Sequence, residues 1–158
     1  MPSLIQLNTL IKLSYLRKVT RNLIYMPSYE IEIILNRQLA DCLSIPVFIT
    51  DTQGNLIFYN EPAEELLGQR FEETGEMPVE VWGTIFTPMD DNSTIIPPEN
   101  LPLVKTLRDC YPHHDTFWIK SIKGNKEKIS VTAYPIIGRE NKFLGAVAIF
   151  WKTKYNEN

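Results

Sequence analysis

Apolar residues recur at spacings of three and four over residues 29–43, a pattern that predicts an amphipathic helix. Met26-Pro27 breaks the chain just before it. The apolar stripe consists of Ile31, Ile34, Leu35, Leu39 and Cys42, opposite Glu32, Asn36 and Arg37. Such a stripe needs a partner, and either the domain's own sheet or the same helix of a second copy satisfies it. We take Ile31, Ile34, Leu35 and Leu39 as candidate dimer or partner residues.

From Ile45 onward the pattern changes to short β-branched and aromatic runs, which predict strands. Residues 46–51 and 56–59 form such runs, and residues 52–55 supply a turn, so we expect a β-hairpin. Asn60 then stands where it caps a short helix over residues 61–67. Pro62 fits the first turn of that helix, and Gly68 ends it.

Prolines and glycines punctuate residues 69–100 and predict single turns and loops rather than a long helix. Trp82, Ile85 and Phe86 are the expected apolar anchors of this stretch. A helix is predicted over residues 99–108, where Leu103, Val104 and Leu107 share one side.

Three further strands are predicted over residues 115–122, 128–134 and 143–151. Residues 143–151 are apolar on both faces, which is typical of a central strand. Pro135 lacks a backbone donor, so we expect a bulge or the end of pairing there. The order of elements predicts an α+β fold with a five-stranded antiparallel sheet and short helices on one face.

Composition fits one globular domain with an extension, because 44% of the 158 residues are apolar and 22% are charged. We assign residues 1–43 to an N-terminal helical extension, residues 44–153 to the domain and residues 154–158 to a C-terminal tail. Residues 1–26 hold four of the 16 basic residues and no acid, so the remaining chain carries all 19 acidic residues. A body with this acidic balance argues against nucleic-acid binding.

Residues 4–26 are rich in Leu and Ile but fit neither a signal peptide nor a membrane span, because four cations interrupt them. Two interpretations stay open. A helix here packs on a partner or on the domain, or it contacts a membrane surface through its apolar side chains and cations.

Several short motifs resemble a PAS domain in their order and spacing, over about residues 39–153. They are Ile45-Pro46, Asp51-x-x-Gly54, Asn60, the helix end Glu65-Leu66-Leu67-Gly68, the run Pro97-Pro98-Glu99-Asn100-Leu101-Pro102-Leu103, and Gly145-Ala146-Val147. The middle segment, with Met77-Pro78, Trp82, Pro88 and Asp90-Asp91-Asn92, is similar to a subclass common in bacterial sensor histidine kinases.

The resemblance implies a sheet whose concave face, covered by short helices, holds a small ligand or a packed core, and both alternatives stay open. The residues that it places around this cavity are Phe48, Leu103, Leu107, Phe117, Ile119, Val131, Ala133 and Phe150. It also implies that signals pass through the sheet to flanking helices and a dimer interface.

The chain departs from the cofactor-binding members of the family. Flavin photosensors of this fold carry a reactive cysteine directly before an Arg-Phe pair, whereas Gln69 precedes Arg70-Phe71. Haem sensors need an axial imidazole, and both histidines, His113 and His114, follow the long helix rather than lie in it. We therefore expect neither flavin nor haem, and the cofactor, if any, stays unknown. The spacing of Cys42 and Cys110 predicts no metal site and suits a reducing cytoplasm.

No motif assembles a nucleophile, a base and an orienting group, so we expect a protein without catalytic residues. Our first hypothesis is a stand-alone cytoplasmic sensory module. It binds a small ligand or a partner protein and signals through its N-terminal helices and a homodimer. Its output partner is then a separate histidine kinase or another signalling protein. The alternative is a ligand-free adaptor whose basic leader docks on a membrane surface or an acidic partner.

Overall fold

The computed structural model describes residues 29–120, 124 and 126–153. Five helices and six strands follow one another along these residues, with 3₁₀ turns at Pro98–Asn100 and Arg139–Asn141. In chain order they are α1 (Ile31–Asp41), β1 (Val47–Thr50), β2 (Leu56–Tyr59), α2 (Glu61–Leu67), α3 (Phe71–Thr74), α4 (Val79–Trp82), β3 (Thr87–Met89), α5 (Pro102–Asp109), β4 (His113–Lys120), β5 (Lys126–Ile137) and β6 (Phe143–Lys152).

One antiparallel sheet organises the domain, with the strand order β2-β1-β6-β5-β4-β3. The apolar strand β6 lies between β1 and β5, as its two-sided pattern predicts. The predicted α+β class and antiparallel sheet are confirmed. The sheet has six strands rather than the expected five, because Thr87–Met89 pairs with β4. This three-residue strand contains Pro88 and lies in a proline-rich stretch, so its pattern is too short to predict a strand.

Each face of the sheet carries its own apolar core. The short helices and connecting segments between β2 and β4 cover what we call the inner face. Helix α1 lies on the opposite, outer face against residues such as Val47, Ile49 and Val147. Alternation along a strand sends neighbouring side chains to opposite faces. Phe117 accordingly joins the inner core, as expected, whereas its neighbour Trp118 lies on the outer face.

The observed element ends differ from the expected ones by a few residues. Helix α1 begins after Glu30 and is shorter than the predicted 29–43, and α5 starts at Pro102 rather than at residue 99. Strand β5 continues through Pro135, and its pairing with β6 shifts register between Ile136 and Ile137, so the predicted irregularity is a bulge. The end of the predicted strand 115–122 and the tail at 154–158 lie outside the described residues.

Helix α2 has the predicted ends. The Asn60 side chain accepts a hydrogen bond from the Ala63 backbone N–H at 3.3 Å, and Pro62 lies in the first turn. Gly68 ends the helix with a φ of 70°.

Asn60 is 2% exposed and joins three elements through its amide. Its Oδ1 also accepts from the Val47 N–H at 2.9 Å, at the start of β1. Its Nδ2 donates to the Ala40 carbonyl at 2.8 Å, at the end of α1, and to the Ile45 carbonyl at 2.9 Å. The cap of α2 therefore also fixes the connection between α1 and the sheet.

At Gly145 the backbone of β6 lies against that of β1. The φ of Gly145 is 144°, and a Cβ atom added there would lie 2.0 Å from the Thr50 carbonyl oxygen. A glycine is required at this position because the backbone of β1 occupies the space of a side chain.

Helix α1 turns its less apolar side toward the sheet. Ile33 and Ala40 are buried, the Arg37 guanidinium lies 4.7 Å from the Phe58 ring centroid, and Asn36 accepts a hydrogen bond from the Tyr134 hydroxyl at 3.2 Å. Of the two partners considered for the apolar stripe, the domain's own sheet is therefore excluded, because Asn36 and Arg37, on the other side of the helix, face it. A guanidinium stacks favourably on aromatic rings, so Arg37 belongs to the packed side.

No helix among the described residues is both long enough and apolar enough to cross a membrane. The basic leader at 4–26 lies outside those residues, so its predicted contacts stay predictions.

We predict that Asn60→Ala lowers the free energy of unfolding by roughly 2–4 kcal/mol, because it leaves several buried backbone groups without a partner. Urea denaturation of the variant and the wild type measures the loss. Asn92→Ala, in an exposed turn, is the matched control and should change stability by less than about 0.5 kcal/mol. Equal stability of the two variants would contradict the central role of the Asn60 amide.

Candidate functional site

The inner core brings all eight cavity candidates together. Leu107 and Phe150 are partly buried and pack against it, and the other six are at most 7% exposed. These six are Phe48, Leu103, Phe117, Ile119, Val131 and Ala133. Strands β1, β4, β5 and β6 and helix α5 supply them, so the elements that the resemblance places around a cavity do converge.

Aromatic rings surround Phe48 at the centre of this cluster. Its ring centroid lies 4.7 Å from that of Phe150, with an interplanar angle of 66°. The distances from the Phe48 ring centroid to those of Trp82, Tyr59 and Phe86 are 6.1, 6.3 and 6.4 Å. These distances are those of packed aromatic pairs, so side chains of the domain itself occupy the space around Phe48.

Polar groups at the border of the cluster are paired within the domain. The Trp82 indole N–H donates to the Gly54 carbonyl at 3.0 Å, which ties α4 to the β1–β2 turn. The Tyr59 hydroxyl lies 2.7 Å from the Thr74 hydroxyl, and burial raises the pKa of Tyr59. The Thr106 hydroxyl donates to the Ala133 carbonyl at 3.4 Å. These polar groups therefore hold neighbouring elements together around a cluster that is itself apolar.

The sequence pattern predicts Trp82 and Phe86 as anchors but does not predict that Tyr59 and Met77 belong to the same core. Met77 exchanges backbone hydrogen bonds with Leu56 beside the edge strand β2. The only available signal for Tyr59 is its place in a short strand, since nothing in the pattern shows which face it occupies.

A second candidate surface is the outward side of α1. Ile31, Ile34, Leu35 and Leu39 are 52%, 39%, 54% and 54% exposed, and Cys42 is exposed beside them. The four predicted dimer residues thus form one apolar stripe that points away from the sheet.

A polar depression of about 360 Å³ lies between the end of α1 and helices α2 and α3. Four carboxylates and one guanidinium line it, together with Phe58, Tyr59, Asn60 and Phe71. The charged residues are Asp41, Glu61, Glu64, Glu72 and Arg70. A lining this polar does not suit an apolar ligand.

The histidines lie on β4 and make local contacts. His113 Nε2 is 2.7 Å from Asp109 Oδ2. The pKa of Asp109 is held below its usual range by the hydrogen bond from the Tyr111 backbone N–H and, to a smaller extent, by His113. His114 stacks on Trp151 with ring centroids 5.7 Å apart. Within the described part of the chain, no group of three or more His, Cys, Asp or Glu side chains is placed to hold a metal ion.

The sequence profile of the PAS domain matches residues 35–103, from within α1 to the start of α5. This range holds the first hairpin, the capped helix α2 and the proline-rich middle segment. This part of the chain matches the PAS domain family. No curated protein matches the sequence significantly.

Solved PAS structures share this fold at low sequence identity. The PAS domain of Bordetella pertussis BvgS superposes with a TM-score of 0.61 and 11% identity, over 80% of this chain and 90% of that one. The PAS domain of the nitrogen regulation protein NR(II) from Vibrio parahaemolyticus superposes with a TM-score of 0.53 and 16% identity, over 75% of this chain and 98% of that one. The LOV domain of a blue-light activated histidine kinase from Erythrobacter litoralis superposes with a TM-score of 0.53 and 16% identity, over 72% of this chain and 99% of that one. The predicted likeness to the PAS domains of sensor histidine kinases is confirmed.

We predict that Phe48→Ala lowers the free energy of unfolding by about 3–5 kcal/mol, because the ring is 1% exposed and packs against four other aromatic rings. Chemical denaturation measures the change, and Ile95→Ala, at a residue that is 65% exposed, should cost less than about 0.5 kcal/mol. A loss below about 1 kcal/mol for Phe48→Ala would indicate a loosely filled inner face with room for a ligand.

Proposed function

We propose that this PAS domain is a signal-transduction module that acts by protein contact and dimerises through α1. The observation that carries the proposal is the apolar stripe of α1, whose four Ile and Leu side chains are 39–54% exposed. Contiguous exposed apolar side chains are typical of protein interfaces. PAS domains are sensory and signal-transduction modules, and a binding role rather than a catalytic one fits the paired, apolar inner face.

The position of α1 supports a role in transmitting signals. Its sheet-facing side shares a core with β1, β2 and β6, while its outward side carries the stripe. Because Asn60 bonds to the end of α1 and to the start of β1, a shift of the sheet against α2 would also move the helix. Output through the N-terminal helices is therefore mechanically consistent with this packing.

The packing around Phe48 supports a partner protein, rather than a small ligand, as the source of the signal. The rings of Phe150 and Trp82 pack against the Phe48 ring, with centroids 4.7 and 6.1 Å away, which supports an inner face filled by side chains of the domain. We propose a separate histidine kinase or another signalling protein as the output partner, in line with the PAS domains of regulatory proteins that share this fold. The alternative role of residues 4–26 in docking to a membrane or an acidic partner stays a prediction.

The free energy gained by burying the stripe limits the affinity of a dimer that the stripe alone holds together. Full burial of an Ile or Leu side chain contributes about 1.5–3 kcal/mol, so a half-exposed one has about 1 kcal/mol left to gain. Four such side chains in each of two copies give roughly 8 kcal/mol, whereas association costs about 4–15 kcal/mol. A stable dimer therefore needs further contacts besides the stripe.

We predict that the full-length protein is a dimer and that Leu35→Glu raises its dissociation constant roughly tenfold or more, because the dimer would bury an unpaired carboxylate. Sedimentation equilibrium measures the dimer dissociation constants of the wild type and of the variant. Val81→Glu is the matched control, since Val81 is 50% exposed but lies on α4, on the other side of the sheet. A Leu35→Glu variant as dimeric as the wild type would contradict dimerisation through α1.

A further inference from the structure

The polar depression between the end of α1 and helices α2 and α3 carries negative charge that the described part of the domain does not neutralise. None of its four carboxylates forms an ion pair with another described residue, and neither does the one cation in its lining, Arg70. Asp41 ends α1, Glu61 and Glu72 lie in the first turns of α2 and α3, and all three side chains are exposed. Like charges that line one depression repel each other, so a cation docked among them relieves the repulsion.

Aromatic rings lie beside these carboxylates. Phe58 and Phe71 both line the depression, with ring centroids 5.4 Å apart. Rings next to carboxylates suit a lysine or arginine side chain, because its apolar stem packs on a ring while its charged end contacts a carboxylate. The occupant that fits this lining is therefore a peptide segment with basic side chains.

The chain itself contains a segment of this chemistry. The basic leader, residues 4–26, is rich in Leu and Ile and holds Lys12, Arg17, Lys18 and Arg21 but no acidic residue, so its net charge is +4. Residues 27–158 hold the other 12 basic and all 19 acidic residues, which gives −7. Opposite charges on a segment and on a surface favour contact between them.

The leader joins the domain close to the depression. Tyr29, three residues after the leader, donates a hydrogen bond to Glu76, two residues after α3 ends. The Arg37 guanidinium lies 6.0 Å from the Tyr29 ring centroid and 5.8 Å from that of Phe71, in the lining of the depression. Arg21 precedes Tyr29 by eight residues. Eight residues span at most roughly 28 Å when extended and about 12 Å as a helix, so the last cation of the leader can reach the depression.

We propose that the basic leader docks in the depression of its own chain, with its cations against the carboxylates of Asp41, Glu61 and Glu72. A short tether holds the leader at an effective concentration of about 1 mM, so contacts too weak to hold a separate peptide suffice. Exposed ion pairs are weak and are screened by salt, so the leader leaves the depression as ionic strength rises. The acidic partner of the leader is then its own domain, and a membrane surface or another protein has to compete with that domain for the same cations.

Carbodiimide cross-linking of the full-length protein tests the contact, because the reagent joins a lysine amine to a carboxylate only where the two groups meet. We expect cross-links from Lys12 or Lys18 to the carboxylates of the depression at low ionic strength, and roughly a fivefold or greater loss of these cross-links in about 0.5 M salt. A mixture of isotope-labelled and unlabelled protein shows whether each cross-link lies within one chain. Cross-links between labelled and unlabelled chains would place the leader on a second copy and overturn the proposal. Leader cross-links confined to acidic residues elsewhere, or their absence, would overturn it as well.

Neutralising two of the carboxylates gives a second readout. Trypsin cleaves after lysine and arginine, and a docked site is cleaved only in the fraction of molecules in which it is released. We expect the double variant Glu61→Gln/Glu72→Gln to be cleaved after Lys18 roughly threefold faster than the wild type at low ionic strength. The matched control, Glu99→Gln/Asp115→Asn, removes the same charge from exposed residues that do not line the depression, and should be cleaved at the wild-type rate. Circular dichroism melting shows that each variant is folded. Equal cleavage rates in the two double variants would contradict docking in the depression.

Discussion

The buried amide of Asn60 is the interaction on which the arrangement of this domain depends. One side chain caps α2, accepts from the first residue of β1 and donates to the carbonyl that ends α1. An amide meets these demands because it combines an acceptor and two donors in one planar group. An aspartate would offer acceptors alone, and the carbonyls of Ala40 and Ile45 would then face a negative charge. The amide thus ties the end of α1 to the start of β1, beside the apolar core that α1 shares with the sheet.

Helix α1 shows what a hydrophobic pattern can predict and what it cannot. The spacing of Ile31, Leu35 and Leu39 predicted both the helix and its continuous apolar stripe. It did not predict which side faces the sheet, because Ile33, Ala40 and the stem of Arg37 also make a packing surface once Phe58 lies beneath them. Periodicity reports relative directions around a helix axis, whereas the choice of face depends on tertiary partners that are distant in sequence.

Elements with local signals were predictable, and those set by pairing were not. Residues that are adjacent in sequence determine three of these features: the cap at Asn60, the left-handed helix end at Gly68 and the alternation in β5. Strand β3 forms because it pairs with β4. Its three residues include Pro88, so the local sequence does not predict a strand. The inner-face candidates were predictable as a set through the resemblance to PAS domains. The contacts that fill the space between them depend on rings from α4 and the following loop, which no spacing relates to β1.

The tight contact at Gly145 has a mechanical consequence for the sheet. Because the backbones of β6 and β1 meet there without a side chain between them, neither strand can slide along the other by one residue without a collision. The contact therefore fixes the register of β6 against β1, and with it the assignment of each β6 side chain to the inner or the outer core.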